Sequence, residues 1–149
     1  MNILVINGPN LNNLGLRNVS IYGNTTLKDI ESTLAQKAEV SGVTLSFYQS
    51  NSEGAIIDKI QELSEKADGI IINPGALTHY GYSLRDALED TRLPIIEVHL
   101  SNIYAREEWR SKSVISGIAI GQISGLGYKG YEMALESMTR KISEQKNER

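Results

Sequence analysis

The chain has 149 residues, a formal net charge of −3 and no cysteine. That length suits a single domain, 1–149, able to bury roughly 70% of its unfolded surface; the mild acidity argues against a broad nucleic-acid or anionic-membrane surface, and the absence of thiols excludes disulfides, zinc–thiolate centres and thiol catalysis. The first residues enter a strand pattern without a charged n-region and a long apolar stretch, and no apolar run reaches transmembrane length, so the expectation is a soluble, cytoplasmic protein with no membrane partner.

Ile3-Leu4-Val5-Ile6 predicts a first strand over residues 2–7, apolar on both faces and opening into Asn7-Gly8-Pro9-Asn10. Residues 8–24 then form a long connection rich in Asn and Gly, with no clear periodicity. Connections of that length in a compact domain are functional or disordered. This one carries Asn10, Arg17 and Tyr22, and reads as a lid. Leu27, Ile30, Leu34 and Ala38 make one helical stripe behind Thr25-Thr26, residues suited to cap it. A second strand, 43–49, alternates Val43, Leu45 and Phe47 with Thr44, Ser46 and Tyr48, the pattern of a half-exposed edge.

Ile56, Ile57, Ile60 and Leu63 predict a second helix, and the buried strand 69–73 runs into Pro74-Gly75-Ala76-Leu77-Thr78-His79. A helix over 82–90 carries Leu84, Ala87 and Leu88, and a fourth strand, 94–99, runs through Glu97 and His99 into Leu100-Ser101-Asn102. A fifth strand is expected at 114–120, and a last helical stripe, Tyr131, Leu135, Met138 and Ile142, passes into a charged tail from Ser143 to Arg149. Apolar runs alternating with helical patterns signal βα units. An edge strand second in sequence suits an α/β, flavodoxin-like, five-stranded parallel sheet of order 2-1-3-4-5 with helices on both faces.

Only two histidines occur, His79 and His99, and each follows a buried strand inside a polar signature. In open parallel sheets ligands bind at the carboxyl ends of the strands, which gathers Asn7, Asn10, His79, His99 and Ser101 along one edge. His79, His99 and Glu97 are candidate metal ligands, but no H-x-x-x-H spacing supports them and the adjoining loops are rich in Asn rather than acid, so no metal is expected. Gly125-Leu126-Gly127-Tyr128-Lys129-Gly130 matches G-x-G-x-x-G, yet in the last βα junction rather than the first, with no following strand to supply a ribose-binding acid. It reads as a tight turn with close helix–sheet packing, and no dinucleotide cofactor is expected.

A tyrosine hydroxyl ordinarily titrates near pH 10, so service as a base at neutrality calls for a neighbouring cation; Arg17, five residues before Tyr22, is placed to be one. Arg106 and Arg110 fall four apart on an expected short helix after His99, on one face, and suit a substrate carboxylate; ion pairs with Glu107 or Glu108 are the alternative.

These residues resemble the type II 3-dehydroquinate dehydratases over essentially the full chain. The resemblance rests on Asn7-Gly8-Pro9-Asn10-Leu11-Asn12, Gly15-Leu16-Arg17, Tyr22-Gly23, Gln49-Ser50-Asn51-Ser52-Glu53-Gly54, Ile71-Ile72-Asn73-Pro74-Gly75-Ala76, Thr78-His79, Leu84-Arg85-Asp86-Ala87-Leu88 and Glu97-Val98-His99-Leu100-Ser101-Asn102, followed by Arg106-Glu107-Glu108 and Arg110. Departures are Asn13, Tyr80-Gly81-Tyr82 beside His79, and Trp109 where the family commonly has Phe.

The resemblance implies a lyase that dehydrates 3-dehydroquinate to 3-dehydroshikimate in the shikimate pathway, through an enol or enolate and with no cofactor, metal or Schiff base. It further implies Tyr22 as base, Arg17 as its activator, Asn10 as the group ordering a donor at the enolate oxygen, His99 as acid and Glu97 as the orienter of that ring. Asn73, His79, Leu100, Ser101 and Arg110 would hold substrate, and Asp86 would reach a neighbouring subunit's site in a homododecamer, a tetramer of trimers. The alternative is a flavodoxin-like FMN- or phosphate-binding module on the same fold. Against it, Gly8-Pro9-Asn10-Leu11 lacks the hydroxyls of a flavin phosphate loop, and the first strand ends without the clustered acids of a phosphoacceptor domain.

Overall fold

The structure, a computed structural model, describes residues 1–148. Five parallel strands, β1 (Asn2–Asn7), β2 (Thr44–Gln49), β3 (Gly69–Asn73), β4 (Ile95–His99) and β5 (Gly121–Ser124), form one sheet in the order β2-β1-β3-β4-β5. The helices are α1 (Val19–Tyr22), α2 (Leu27–Val40), α3 (Glu53–Leu63), α4 (Tyr82–Asp90) and α5 (Lys129–Asn147). This is the flavodoxin-like arrangement expected from the sequence.

Strand alternation divides the core in two. Ile3, Val5, Ile71, Ile96 and Val98 face α2 and α5, packing on Ile30, Leu34, Tyr131, Leu135 and Met138. Leu4, Ile6, Ile70, Ile72 and Ile95 face α3 and α4, packing on Ile56, Ile60, Leu84 and Leu88. β1, β3 and β4 are therefore covered on both sides, as parallel strands require, and their carboxyl ends are held in fixed register. β2 is the half-buried edge. α2 starts at a capping box in which Thr26 Oγ1 accepts from the Asp29 N–H at 3.1 Å and the Asp29 carboxylate accepts from the Thr26 N–H at 3.0 Å.

Two expectations are corrected. The fifth strand begins at Gly121, not at 114, and the expected span 114–120 instead contains a short 3-10 turn, Ser116–Ile118. Its apolar residues Val114, Ile115, Ile118 and Ala119 do join the core on the α3–α4 side, but as a crossing segment outside the ladder. Burial without pairing leaves the same apolar signature as a strand. The charged stretch from Ser143 is also not a separate tail: α5 continues to Asn147, with Arg140 paired to Glu144 one turn on, while Arg149 lies outside the described residues. No helix among the described residues is long and apolar enough to cross a membrane.

The G-x-G-x-x-G segment is a turn. Gly125 and Gly127 take φ of +90° and +61°, and a Cβ on Gly130 would lie 3.3 Å from both Ile123 and Val98, so its role is close approach of α5 to the sheet.

Candidate active site

A cavity of about 150 Å³ opens at the carboxyl ends of β1, β3 and β4. Asn10, Arg17 and Tyr22 reach it from the connection after β1, Asn73 and His79 from β3 and its loop, and His99, Leu100, Ser101 and Arg110 from β4 and beyond. Arg106 lines it as well. A wider groove between α2 and α5 holds none of these side chains.

The 8–24 connection is pinned at its start. Leu11 and Leu14 are buried in the core, and Gly8 is pressed so close to Pro74 that an added Cβ would lie 2.3 Å from its carbonyl oxygen. Asn10 takes a left-handed conformation (φ 69°), held by its own N–H donating to Asn51 Oδ1 at 2.9 Å. Gln49 Nε2 donates to both Gly8 O and Asn51 Oδ1, so the end of β2 sets the placement of Asn10. Beyond Gly15 the connection carries α1, which delivers Tyr22 at its last turn.

Two guanidinium groups surround Tyr22. Arg106 Nη1 donates to its hydroxyl at 2.7 Å and to Ser101 Oγ at 3.2 Å. Arg17 instead lies over the ring, 4.6 Å from the centroid. The sequence assigned the hydroxyl's cation to Arg17; the structure gives that contact to Arg106. The expected short helix after His99 is also absent. Two 3-10 turns, Ile103–Ala105 and Glu108–Ser111, flank Arg106 in extended backbone, so Arg106 and Arg110 do not share a helix face. Arg106 turns to Tyr22, and Arg110 pairs with Glu107 at 2.7 Å while still lining the cavity.

His99 Nε2 lies 2.6 Å from Glu97 Oε2. Glu97 is fully buried, and burial pushes its carboxyl upward, yet hydrogen bonds from His99, Ser113 and Gln122 outweigh that and hold it below the usual carboxylate range. His79 does not join this pair. Its Nδ1 donates to Lys112 O at 2.8 Å, and its ring meets Trp109 edge-on at 5.1 Å. Burial keeps His79 below the ordinary imidazole range, against the opposing pull of the Lys112 carbonyl, which leaves Nε2 as a hydrogen-bond acceptor. Tyr80 and Tyr82, the other departures nearby, are exposed; Trp109 is the one that touches His79.

Asn73 is fixed at both ends of its amide. Oδ1 accepts from Gly75 N at 3.1 Å, and Nδ2 donates to the buried Tyr131 hydroxyl at 3.0 Å, which itself donates to Asn7 Oδ1 at 2.5 Å. Ser113 and Gln122 were not singled out in the sequence, and Tyr131 was read only as part of an apolar helical stripe. Asp86 is exposed on α4 and does not line the cavity of its own chain.

The family model for class II dehydroquinase matches residues 1–139. The chain is 50% identical over 142 residues to the 3-dehydroquinate dehydratase of Bacillus cereus (strain AH187), covering 95% of this chain and 97% of that one. Among solved structures it is similar to the type II dehydroquinase from Butyrivibrio crossotus DSM 2876, with a TM-score of 0.91 at 50% identity over 93% of this chain and 97% of that chain. The type II dehydroquinase from Propionibacterium acnes gives 0.89 at 42% identity, over 93% and 96% of the two chains. With a cavity at the strand ends and agreement along nearly its whole length, the chain belongs to the class II dehydroquinase family.

Proposed function

We propose that the protein is a 3-dehydroquinate dehydratase that removes water by anti elimination through an enol or enolate, without a metal or a Schiff base. The observation that carries this reading is the shared cavity of Tyr22 and His99, with Arg106 donating to the Tyr22 hydroxyl at 2.7 Å. Tyr22 takes the proton alpha to the ketone, and the electrons of that C–H bond pass to the enolate. Arg17 and Arg106 place positive charge beside the tyrosine as this happens. Asn10 orders a water or donor at the enolate oxygen. When the enolate collapses, the C–O bond to the departing hydroxyl breaks and His99 protonates it, so water leaves and a conjugated enone remains. Glu97 holds Nε2 of the imidazole, which leaves Nδ1 for the leaving group.

Asn73 as donor, His79 as acceptor, Ser101 with the Leu100–Ser101 backbone, and Arg110 form the substrate-holding set. The guanidinium fork of Arg110 suits the substrate carboxylate. A covalent imine needs a desolvated lysine, and no lysine among the described residues lines the cavity. Asp86, turned outward here, is read as serving a neighbouring protomer's site within a homododecamer.

The flavin- or phosphate-binding alternative fits poorly, because the backbone donors after β1 already have partners. Gly8 N donates to Asn73 O, Asn10 N to Asn51 Oδ1 and Leu11 N to Gly8 O. The test is direct: on mixing protein with 3-dehydroquinate, the ultraviolet absorbance of the conjugated enone should rise. No rise with folded protein would overturn the assignment.

A further inference from the structure

We propose that Ser113 and Gln122 are positioning residues for the reaction: they clamp the Glu97 carboxylate against His99 and so lock the imidazole in the tautomer and orientation that present Nδ1 to the substrate. This rests on the reading of His99 as the acid.

Glu97 sits in the central part of the sheet with no solvent exposure, where a carboxylate is tolerated only if its lone pairs are filled. Its two oxygens are shared out. Oε2 accepts from His99 Nε2 at 2.6 Å and from Gln122 Nε2 at 2.5 Å, and Oε1 accepts from Ser113 Oγ at 2.7 Å. Each outer donor has its direction set by groups further out. Ser113 Oγ receives the N–H groups of Ile115 and Ser116 at 3.1 and 3.0 Å, which occupy its two lone pairs, and its single proton goes to the Glu97 carboxylate, which can only accept. Gln122 is the register partner of Glu97 across β4 and β5, which puts both side chains on one face of the sheet. The Tyr104 hydroxyl donates to Gln122 Oε1 at 2.9 Å, which turns Nε2 inward.

The clamp has a chemical consequence. A carboxylate filled by three donors does not compete for the Nε2 proton, so Nε2–H stays on the ring: neutral His99 is the Nε2–H tautomer with Nδ1 bare, and the proton that Nδ1 gives to the leaving group is the one taken up to form the imidazolium. Without Ser113 and Gln122, Glu97 would keep one partner, and both the carboxyl and the ring would be free to rotate.

With both rings neutral, the two histidines should show opposite tautomers, Nδ1–H for His79 on the Lys112 carbonyl and Nε2–H for His99 on Glu97. Magic-angle-spinning nitrogen spectra of histidine-labelled full-length enzyme read both, whatever the size of the assembly, and His79→Gln assigns them. Ser113→Ala and Gln122→Leu should each lower kcat roughly tenfold, the scale of losing an outer-shell partner, with KM nearly unchanged. Each should also convert the His99 signal from the Nε2–H tautomer to a mixture. Ser113→Thr, which keeps the hydroxyl, should restore both. Tyr104→Phe should give a smaller change of the same kind, and it carries the test if Ser113→Ala fails to fold. Variants with a wild-type His99 spectrum, or with an effect confined to KM or to thermal stability, would overturn the inference. Full turnover by His99→Ala would instead overturn the acid assignment on which it rests.

Discussion

Arg106 Nη1 reaches the Tyr22 hydroxyl at 2.7 Å across 84 positions of sequence, and the same nitrogen also holds Ser101 Oγ. The contact ties the connection after β1 to the loop after β4, so the hydroxyls of Tyr22, the proposed base, and of Ser101 are held by one side chain. Arg17 contributes from the ring face instead.

Tyr22→Phe, which removes only the hydroxyl, should therefore leave binding of a ring-shaped product analogue intact and lower kcat by about 10²–10⁴, the range for losing a general acid or base. Arg106→Ala should resemble it. Arg106→Lys should rescue little, because an ammonium does not reproduce the planar fork that bridges Tyr22 and Ser101. Steady-state kinetics with analogue binding by calorimetry separates the steps. An Arg106→Ala variant that raised KM alone would reduce Arg106 to a substrate contact.

His79 should make substrate binding sensitive to acid. Its folded-state value lies below the ordinary imidazole range because of burial, so the folded chain takes up this proton less readily than the unfolded chain. Its contribution to stability is complete above the ordinary value of 6.5 and declines as pH falls below it. Once protonated, Nε2 no longer accepts, and KM should rise on the acid side. His79→Ala should show a raised KM without that acid-side rise. A KM–pH curve of unchanged shape in His79→Ala would assign the acid sensitivity to another group.

Much of this was readable beforehand. Strands buried on both faces announce themselves as unbroken apolar runs, so β1, β3 and β4 and the polar bursts at their ends were legible, and those ends carry most of the site. What escaped depended on pairing across the chain. The segment 114–120 is as apolar as a strand because Ile115 and its neighbours Val114, Ile118 and Ala119 pack into the core on the α3–α4 side, and mistaking it for β5 hid Gln122, whose place beside Glu97 exists only once the ladder starts at Gly121. Tyr131 looked like one more core residue of α5, and its hydroxyl matters only because α5 crosses beneath Asn7 and Asn73. Arg106 was visible as a cation, but helix periodicity was the wrong guide to where it points.

Tyr131→Phe isolates that buried hydroxyl. It leaves the ring in the core while removing the donor to Asn7 and the acceptor of Asn73, and an unpaired buried polar group costs about 1–3 kcal/mol. Denaturant unfolding should show a loss of that size. KM should rise as well, because the Asn73 amide loses the partner that fixes which way it donates. An unchanged KM alongside reduced stability would confine Tyr131 to the core.

Turnover should be unaffected by chelators and by borohydride added with substrate. Lys59 is paired with Glu62, and Lys129 and Lys146 lie on α5 in ion pairs with Glu132 and Asp68, solvated settings unlike that of an imine-forming amine. Inactivation by borohydride only in the presence of 3-dehydroquinate, followed by a mass increase on a lysine, would refute the enolate route.

Asp86 tests whether the site is complete in one chain. It is exposed on α4 and outside the cavity, although Leu84, Ala87 and Leu88 on the same helix are buried in the core, so the helix is firmly placed while this carboxylate faces outward. If a neighbouring protomer's site receives it, Asp86→Ala should lower activity with little loss of protomer stability, since no hydrogen bond within its own chain is broken among the described residues. Mixing Asp86→Ala protomers with Tyr22→Phe protomers, after dissociation and reassembly, should then regain activity, because a site with an intact Tyr22 can be served by the Asp86 of a Tyr22→Phe neighbour. Sedimentation of the wild type as a fully active monomer, or reassembled mixtures no more active than their parts, would place the whole reaction within one chain and leave Asp86 without a part in it.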